Sequence, residues 1–432
     1  MDFLSIIVLI ASFIILLLMG VPIAFSLGIS AVLSLLMNMD TMASFTTMAQ
    51  QMTTSLDSFA LLAIPFFVLS GQLMNHGGIA IRLIRLAKVL VGRLPGGLAF
   101  VNIMANMLFG AISGSAAASA SAIGGFMGPL MKKEGYPMPF SAAINITSAS
   151  TGLIIPPSNI LIVYSLASGG VSIAALFVAG YIPGILIGLS LMLVAGIYSK
   201  KHNYPVAERV GFIEAVKIFL DAIPSLLLLV IVIGGIIAGI FTATEASAIA
   251  VLYTFILAMI YREIKIKDLP RIIIKTIEII SIVLILVATS MALSWVMSYG
   301  NIPQAISDTL LTISENKFAI LLMINMILLF IGVFMDMTPA VLIFTPIFLP
   351  VVTSLGLDPI HFGIIIVMNL CVGLCTPPVG SLLFIGCSVG KVTIGEILKP
   401  LLPMFLVMII VLLLITFVPW FSLWLPRLFD LL

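Results

Sequence analysis

Long apolar runs follow one another along this chain, separated by short stretches rich in glycine, proline or basic residues. Most runs approach the roughly 20 residues that a helix needs to cross a bilayer. Alternating strands of about ten residues, which would indicate a membrane barrel, do not occur. The pattern predicts an all-α polytopic membrane protein with about a dozen crossing or re-entrant segments.

Composition agrees with this pattern. Of the 432 residues, 62% are hydrophobic and 8% are charged, whereas soluble domains carry about 25% charged residues. The first apolar run continues past Gly20 without a small-residue cleavage site, so we expect no cleavable signal peptide.

Two of the apolar runs contain the same interruption. Gly152-Leu153-Ile154-Ile155-Pro156-Pro157 returns 221 positions later as Gly373-Leu374-Cys375-Thr376-Pro377-Pro378. A proline pair removes two backbone donors and stops the preceding helix. Matching breaks in two halves indicate the ion and substrate site of a secondary transporter. The alternative is a simple kink whose free carbonyls are met by water or a neighbouring hydroxyl.

Each break follows a helical hairpin. The first hairpin covers 95–133 around Ser113-Gly114-Ser115, and the second covers 318–354 around Asp336. Their polar tips must be buried in protein or line a cavity, because lipid cannot satisfy them. We therefore expect hairpins that enter the membrane and return, followed by broken spans at 138–168 and 359–389.

The basic residues orient this arrangement. With residues 79–93 as an amphipathic helix on the inner membrane surface, 17 of the 19 Lys and Arg residues fall inside, and only Lys317 and Arg427 fall outside. The positive-inside rule favours this threading. It places both termini outside and relates the halves by inverted topology. Further identities share the offset of 221: Phe109 and Phe330, Pro129 and Pro350, Gly135 and Gly356, Gly169 and Gly390, Val171 and Val392, Ile173 and Ile394.

We expect each hairpin tip to meet the break of its own half near the midplane. Free carbonyls at a helix end suit a small hard cation such as sodium. Asp336 is the one carboxylate predicted at membrane depth, and two interpretations stay open for it: a functional group or a helix cap. The tips and breaks offer further oxygens from Ser113, Ser115, Gly152, Leu153, Ile155, Gly332, Thr338, Gly373 and Thr376.

No Lys or Arg is predicted in the core, so hydroxyls, backbone N–H groups and helix N-termini would hold an anionic substrate. The candidates are Ser115, Ser119, Ser121, Thr338 and Asn159. For Ser119 and Ser121, tight packing of small residues between helices is an alternative. We expect Cys371, Cys375 and Cys387 to pack in helix contacts and His76, His202 and His361 to be interfacial. No metal or cofactor constellation is predicted besides sodium as the coupling ion.

These motifs resemble the large membrane subunit (DctM-like) of tripartite ATP-independent periplasmic (TRAP) transporters. The residues that carry the resemblance are both Pro-Pro motifs, Met19-Gly20-Val21-Pro22-Ile23-Ala24-Phe25, Leu62-Ala63-Ile64-Pro65-Phe66-Phe67 and Phe241-Thr242-Ala243-Thr244-Glu245-Ala246. Ala243 departs from the proline expected there.

The resemblance implies a sodium-driven elevator, in which a transport domain slides against a scaffold. It implies one sodium at Ser113, Ser115, Gly152, Ile155 and Pro157, and another at Gly332, Asp336, Gly373, Thr376 and Pro378. The implied units are scaffold spans at 1–75, an arm at 79–93, a first transport half at 95–200, scaffold spans with a second arm at 203–299, a second transport half at 302–391, and a final span at 396–425.

The resemblance also implies partners. They are a periplasmic substrate-binding protein, a small four-helix membrane subunit as a separate chain, membrane lipid, and an organic anion such as a C4-dicarboxylate or sialic acid. A bacterial inner-membrane location follows, and no nucleic-acid partner is expected. A stand-alone sodium or proton symporter of similar fold is the alternative. A channel is disfavoured because no continuous polar pathway is visible, and an intramembrane enzyme because no catalytic pair lies at depth.

Overall fold

The computed structural model describes residues 3–94, 96–206, 210–313, 316–377 and 379–432, which form 20 α-helices and no strand. The first half of the chain contains ten of these helices. They are α1 (Phe3–Leu18), α2 (Ile23–Leu36), α3 (Thr41–Leu56), α4 (Ala63–His76), α5 (Ile79–Val91), α6 (Gly97–Ser113), α7 (Ala116–Lys133), α8 (Met138–Ala149), α9 (Asn159–Ala167) and α10 (Ile173–Lys201).

The second half of the chain contains the other ten. They are α11 (Phe212–Ile237), α12 (Ala243–Ile260), α13 (Leu269–Tyr299), α14 (Ile302–Ile313), α15 (Lys317–Phe334), α16 (Met337–Ser354), α17 (Pro359–Leu374), α18 (Ser381–Gly390), α19 (Ile394–Phe417) and α20 (Trp420–Leu428).

The helices have the length and apolarity of membrane segments. Among the described residues, eight helical segments are long and apolar enough to cross a bilayer, and five shorter apolar helices accompany them. Large apolar side chains stay exposed on the outer faces, for example Ile273, Ile274 and Ile282 of α13. A contiguous apolar exterior of this kind marks a membrane-facing surface. The chain is a multi-pass, all-helical membrane protein, as predicted.

The two halves repeat the same order of elements. Helices α6 and α7 form one hairpin, and α15 and α16 form the other. Each hairpin precedes a broken helix: α8 and α9 flank the first Pro-Pro motif, and α17 and α18 flank the second. Equivalent helices begin 221 residues apart, namely α7 and α16, α8 and α17, and α10 and α19. The offset that the sequence predicted is therefore the offset of the structural repeat.

A contact between equivalent residues lies where the halves meet. The thiol of Cys371 donates a hydrogen bond to the carbonyl of Ser150, 221 positions earlier, at 3.5 Å. Across a twofold interface a residue near the axis contacts its own equivalent. The thiol of Cys375 likewise reaches the carbonyl of Ile146 at 3.6 Å. Both cysteines are buried and reduced, and they join the two broken helices.

The structure defines the helix boundaries inside two predicted stretches. Within 203–299, α11 runs unbroken from Phe212 to Ile237, because isolated polar residues do not end a helix. The final span predicted at 396–425 breaks instead into α19 and α20. Proline at 419 has no N–H to continue α19, and the residue before it, Val418, leaves the helical conformation at φ −123° and ψ 85°.

Helix α5 and His361 were both predicted at the membrane surface, but other helices of the protein cover them. The apolar face of α5 packs against α6 and α11, so protein covers the side of 79–93 that we expected to face lipid. His361 is 1% exposed, because α20 covers it. Its Nδ1 lies 2.6 Å from the hydroxyl of Ser422, and its Nε2 donates to the carbonyl of Thr416 at 3.3 Å.

Candidate functional site: a cavity between two hairpin tips

The tip of the first hairpin contacts the first helix break. A Cβ atom built on Gly152 would lie 2.6 Å from the Cα of Gly110 in α6, so only glycines fit this backbone contact. Gly114 adopts the left-handed conformation at φ +61°, and a Cβ there would lie 3.0 Å from the carbonyl oxygen of Pro157. The polar tip therefore lies beside the carbonyl of Pro157 in the break. The carbonyl of Leu153, which we expected to be available, accepts a hydrogen bond from the hydroxyl of Ser158.

The second half shows the same contact. A Cβ atom on Gly373, at the end of α17, would lie 2.5 Å from the Cα of Gly332 in α15. The hydroxyl of Thr376 donates to the carbonyl of Val372 at 2.8 Å, which leaves its oxygen lone pairs free. Pro378 lies outside the described residues. In both halves, a glycine pair brings hairpin and break together.

Both hairpin tips line one cavity of about 210 Å³. Helix α4 and the middle of α13 form its other walls, the former through Ile64, Val68, Gly71 and Gln72. None of the described residues that line it is Lys, Arg or His. The polar side chains of the lining are those of Gln72, Ser113, Ser115, Asn159, Asp336, Thr338 and Ser381.

Four helices begin at this cavity. Its lining includes Ala116–Ala118 of α7, Asn159 of α9, Met337 and Thr338 of α16, and Ser381 and Leu382 of α18, all within the first turn of their helices. The first amides of a helix lack intrahelical partners, and the helix dipole is positive at this end. Helix N-terminal amides therefore provide the positive ends of dipoles in this lining, and the carboxylate of Asp336 is the one charged side chain among the described residues that line it.

Comparison with known proteins places the chain among transport proteins. Residues 10–421 match the family described as the tripartite ATP-independent periplasmic transporter, DctM component. The chain belongs to this family.

Two relatives and one solved structure illustrate the similarity. This TRAP large permease is 59% identical to the uncharacterized protein YgiK of Salmonella typhimurium, with 98% of each chain covered. It is 36% identical to the C4-dicarboxylate TRAP transporter large permease protein DctM of Rhodobacter capsulatus, over 96% of this chain and 97% of the relative. The crystal structure of the YdaH transporter of Alcanivorax borkumensis has a related fold, with a TM-score of 0.66, 14% identity and coverage of 88% and 89%.

Membership fixes the broad function. TRAP large permeases are membrane subunits of secondary transporters for organic acids, and they work with a small membrane subunit and a periplasmic binding protein. They are not enzymes.

The structure brings several of the predicted substrate residues together and separates the others. Ser115, Asn159 and Thr338 line the cavity. Ser119 is fully buried and donates to Oδ1 of Asn106 at 2.8 Å, so it joins the two arms of the hairpin. Ser121 is exposed and lies outside the cavity lining.

The predicted sodium residues surround the two glycine contacts. Ser113, Gly152 and Pro157 are buried at the first contact, where the hydroxyl of Ser115 accepts a hydrogen bond from the amide of Ala118 at 3.3 Å and caps α7. The side chain of Ile155 packs against Gly184 of α10. Asp336 occupies the N-cap position of α16, but its side chain makes no capping bond and it lines the cavity.

Sequence reasoning missed the contribution of α4. A Cβ atom on Gly71 would lie 3.0 Å from the carbonyl oxygen of Ser113, so α4 touches the hairpin tip through its backbone. Gln72 is 9% exposed, and its Oε1 has no hydrogen-bond partner in the described part of the chain. A buried amide inside an apolar span was the available signal, because polar groups at membrane depth are costly.

A second missed feature is the asparagine network behind the first tip. The side-chain amide of Asn106 in α6 donates to the hydroxyl of Ser148 at 2.9 Å and to Oδ1 of Asn145 at 3.1 Å. Asn145 in turn donates to the carbonyl of Ala120 in α7 at 2.8 Å. Buried hydrogen bonds of this kind fasten hairpin and broken helix into one unit.

Proposed function

We propose that this TRAP large permease couples inward sodium flow to the uptake of an organic acid across the bacterial inner membrane. Four helix N-termini and both hairpin tips surround one cavity, whose described lining residues include no cationic side chain, and this observation carries the proposal. The sequence resemblance supports an elevator mechanism, and a periplasmic binding protein would deliver the acid.

The two glycine contacts are the proposed sodium positions. At the first, carbonyl oxygens of Gly152, Ile155 and Pro157 would combine with the hydroxyls of Ser113 and Ser115. At the second, Gly332, Gly373, Thr376 and Pro378 would supply the oxygens. Asp336, which the resemblance also assigns to this site, lines the cavity and is given a role toward the substrate below. Sodium accepts hard oxygen ligands, and helix C-terminal ends direct their negative dipoles toward it. Coupling follows if sodium and substrate both prefer the same arrangement of tip and break.

The substrate would bind at the first turns of these helices, with Ser115, Asn159 and Thr338 as hydrogen-bonding side chains. Burial of a carboxylate is favourable only where charge-assisted hydrogen bonds replace water. Ser119 and Ser121 would take no part, since neither lines the cavity.

In an elevator mechanism, the boundary between the moving transport domain and the fixed scaffold would lie at α4. Hairpin one and broken helix one share the asparagine network, which supports motion as one unit. Toward the cavity, α4 presents Ile64, Val68 and Gly71, with Gln72 as its one polar side chain in the lining. A mainly apolar face of this kind suits sliding. The scaffold would contain 1–75 and 203–299.

Charge distribution supports the orientation and the assembly. With 17 of 19 basic residues on the cytoplasmic side, both termini would be periplasmic. The small membrane subunit would be a separate chain beside the scaffold.

Uptake into proteoliposomes that contain this chain and its small subunit tests the proposal. Organic acids are offered with and without a sodium gradient and with and without the binding protein. We expect uptake only when both are present. Uptake with sodium alone would indicate a stand-alone symporter, and uptake independent of sodium would overturn the two ion positions.

A further inference from the structure

The two hairpin tips occupy equivalent positions in the repeat, but one carries a neutral hydroxyl and the other a carboxylate. Ser115 and Asp336 are the N-cap residues of α7 and α16, and they lie 221 positions apart. Ser115 uses its side chain to cap its helix. Asp336 does not, so its carboxylate is free to interact with a ligand in the cavity that it lines.

This asymmetry matters for an anionic ligand. The amides at the Ser115 end of the cavity attract a carboxylate, whereas the carboxylate of Asp336 repels a second one. A hydroxyl group at that end would instead donate a charge-assisted hydrogen bond to Asp336. A ligand with one carboxylate and several hydroxyls fits both ends, but a dicarboxylate fits only one.

Two further acceptors favour hydroxyl donors. Oε1 of Gln72 and Oδ1 of Asn159 are buried, and neither has a hydrogen-bond partner in the described chain. Both residues line the cavity. A buried acceptor without a donor costs free energy, and an ionised dicarboxylate carries no hydrogen-bond donor for it. The hydroxyls of a polyhydroxy acid would donate hydrogen bonds to both acceptors.

The size of the cavity restricts the ligand further. Its volume of about 210 Å³ lies below the ~300–1,000 Å³ of pockets for drug-sized ligands. A small acid therefore fits better than a large, substituted sugar acid.

We infer that this permease carries a small polyhydroxy monocarboxylate, with its carboxylate at the Ser115 end and its hydroxyls at Asp336, Gln72 and Asn159. The inference rests on the proposed function, because it takes the cavity as the substrate site. It narrows that function to one class of organic acid and gives Asp336 a role in selectivity.

Ligand binding to the full-length permease in nanodiscs, with sodium present, tests the inference. D-gluconate and succinate serve as probes, since both are small and they differ in hydroxyls and in the second carboxylate. We expect the wild type to bind gluconate about tenfold more tightly, the scale of one charge–charge contact. Equal binding, or a preference for succinate, would overturn the inference while leaving the proposed function intact. Binding of neither probe nor any other organic acid would overturn both.

The variant Asp336→Asn tests the assigned residue. Removal of the charge should reduce the preference for gluconate over succinate by about tenfold, and the sodium concentration that gives half-maximal binding should not change. Asp358→Asn is the matched control, because Asp358 caps α17 by accepting from the amide of Ile360 at 2.7 Å, and asparagine caps equally well. A changed sodium dependence with an unchanged anion preference in Asp336→Asn would assign Asp336 to sodium and overturn its role here.

Discussion

Two glycine pairs, Gly110 with Gly152 and Gly332 with Gly373, set how closely each hairpin tip approaches its helix break. We predict that Gly152→Ala strongly reduces sodium-dependent uptake. The added Cβ would overlap the backbone of Gly110, which cannot move aside as a flexible side chain would. Overpacking of this kind costs about 1–3 kcal/mol, and the displaced tip would lose its carbonyl neighbours. Uptake at a series of sodium concentrations measures the effect.

The control for this substitution is Gly125→Ala in α7. A Cβ atom there has no heavy atom within 4 Å, so uptake should stay at the wild-type level. Wild-type uptake and sodium dependence in Gly152→Ala would show that the glycine contact is dispensable for coupling.

Ser115 and Ser172 form a matched pair for a second prediction. Each caps a helix by accepting one backbone amide at 3.3 Å, from Ala118 and Ala175 respectively. Alanine at either position should cost about 1 kcal/mol of stability. Only Ser115→Ala should also raise the sodium concentration for half-maximal uptake, because Ser115 lines the cavity and Ser172 does not. If both variants showed the same sodium dependence of uptake, Ser115 would have only the role of a helix cap.

Thr376 and Thr276 form another matched pair. Each hydroxyl donates at 2.8 Å to the carbonyl four residues earlier. Valine at Thr376 should weaken sodium binding, since it removes an oxygen beside the Gly332 contact, whereas Thr276→Val should not. Uptake kinetics with varied sodium measure both variants. An unchanged sodium affinity in Thr376→Val would contradict the second ion position.

The role of a single residue could be predicted from the sequence where it follows from a local signal. Ser115 lies at a hairpin tip, Asn159 follows a helix break, and both line the cavity. Gln72 and Gly71 could not be assigned, because their role depends on which distant segment packs on α4. Ser119 shows the reverse case: its spacing suits a ligand, but Asn106, 13 residues away, takes its hydrogen bond.

Among the elements, the contact between α4 and the first hairpin tip tests the elevator. The Cβ position of Gly71 lies 3.6 Å from the Cα of Ser113, which keeps the two Cα atoms below the limit of about 7 Å for a disulfide. We predict that Gly71→Cys with Ser113→Cys, in a background with the three native cysteines replaced by alanine, loses uptake on oxidation. Reductant should restore the uptake of the unoxidised variant, which lies below the wild-type level because Ser113 is a proposed sodium ligand, since α4 and the hairpin could then move apart.

The control joins two scaffold helices. Ser5 in α1 and Ser34 in α2 are in contact, since the hydroxyl of Ser34 donates to the carbonyl of Ser5 at 3.1 Å. A disulfide between cysteines at these positions should leave uptake unchanged. If the variant with Gly71→Cys and Ser113→Cys kept its full uptake after oxidation, the proposed sliding of the hairpin along α4 would be contradicted.

Elements were predictable where their signals are local. The Pro-Pro breaks and the hairpin tips each carry their own chemistry. Helices α7 and α16 begin directly after the tips, and α17 ends directly before the second break, as these signals predict. The break before α20 was missed because Pro419 lies in a long apolar run that resembles the proline-containing helix α10. The burial of His361 depends on that break, since α20 provides Ser422.

For the whole molecule, the repeat offset makes a prediction about orientation. Lys133 ends α7 and Ser354 ends α16, so these residues are equivalents 221 positions apart. Both are exposed. If the halves are inverted, equivalent residues must face opposite sides of the membrane, whereas a parallel repeat would place both on the same side.

We predict that cysteine at position 133 reacts with a membrane-impermeant maleimide only after permeabilisation, and that cysteine at position 354 reacts in intact cells whose outer membrane admits the reagent. The native cysteines are buried and give little background. His202→Cys and Arg427→Cys provide internal controls for the inner and outer sides, because the basic-residue distribution places them there. Labelling of positions 133 and 354 from the same side would exclude inverted topology. It would also exclude a mechanism in which the two hairpins open the cavity to opposite sides of the membrane.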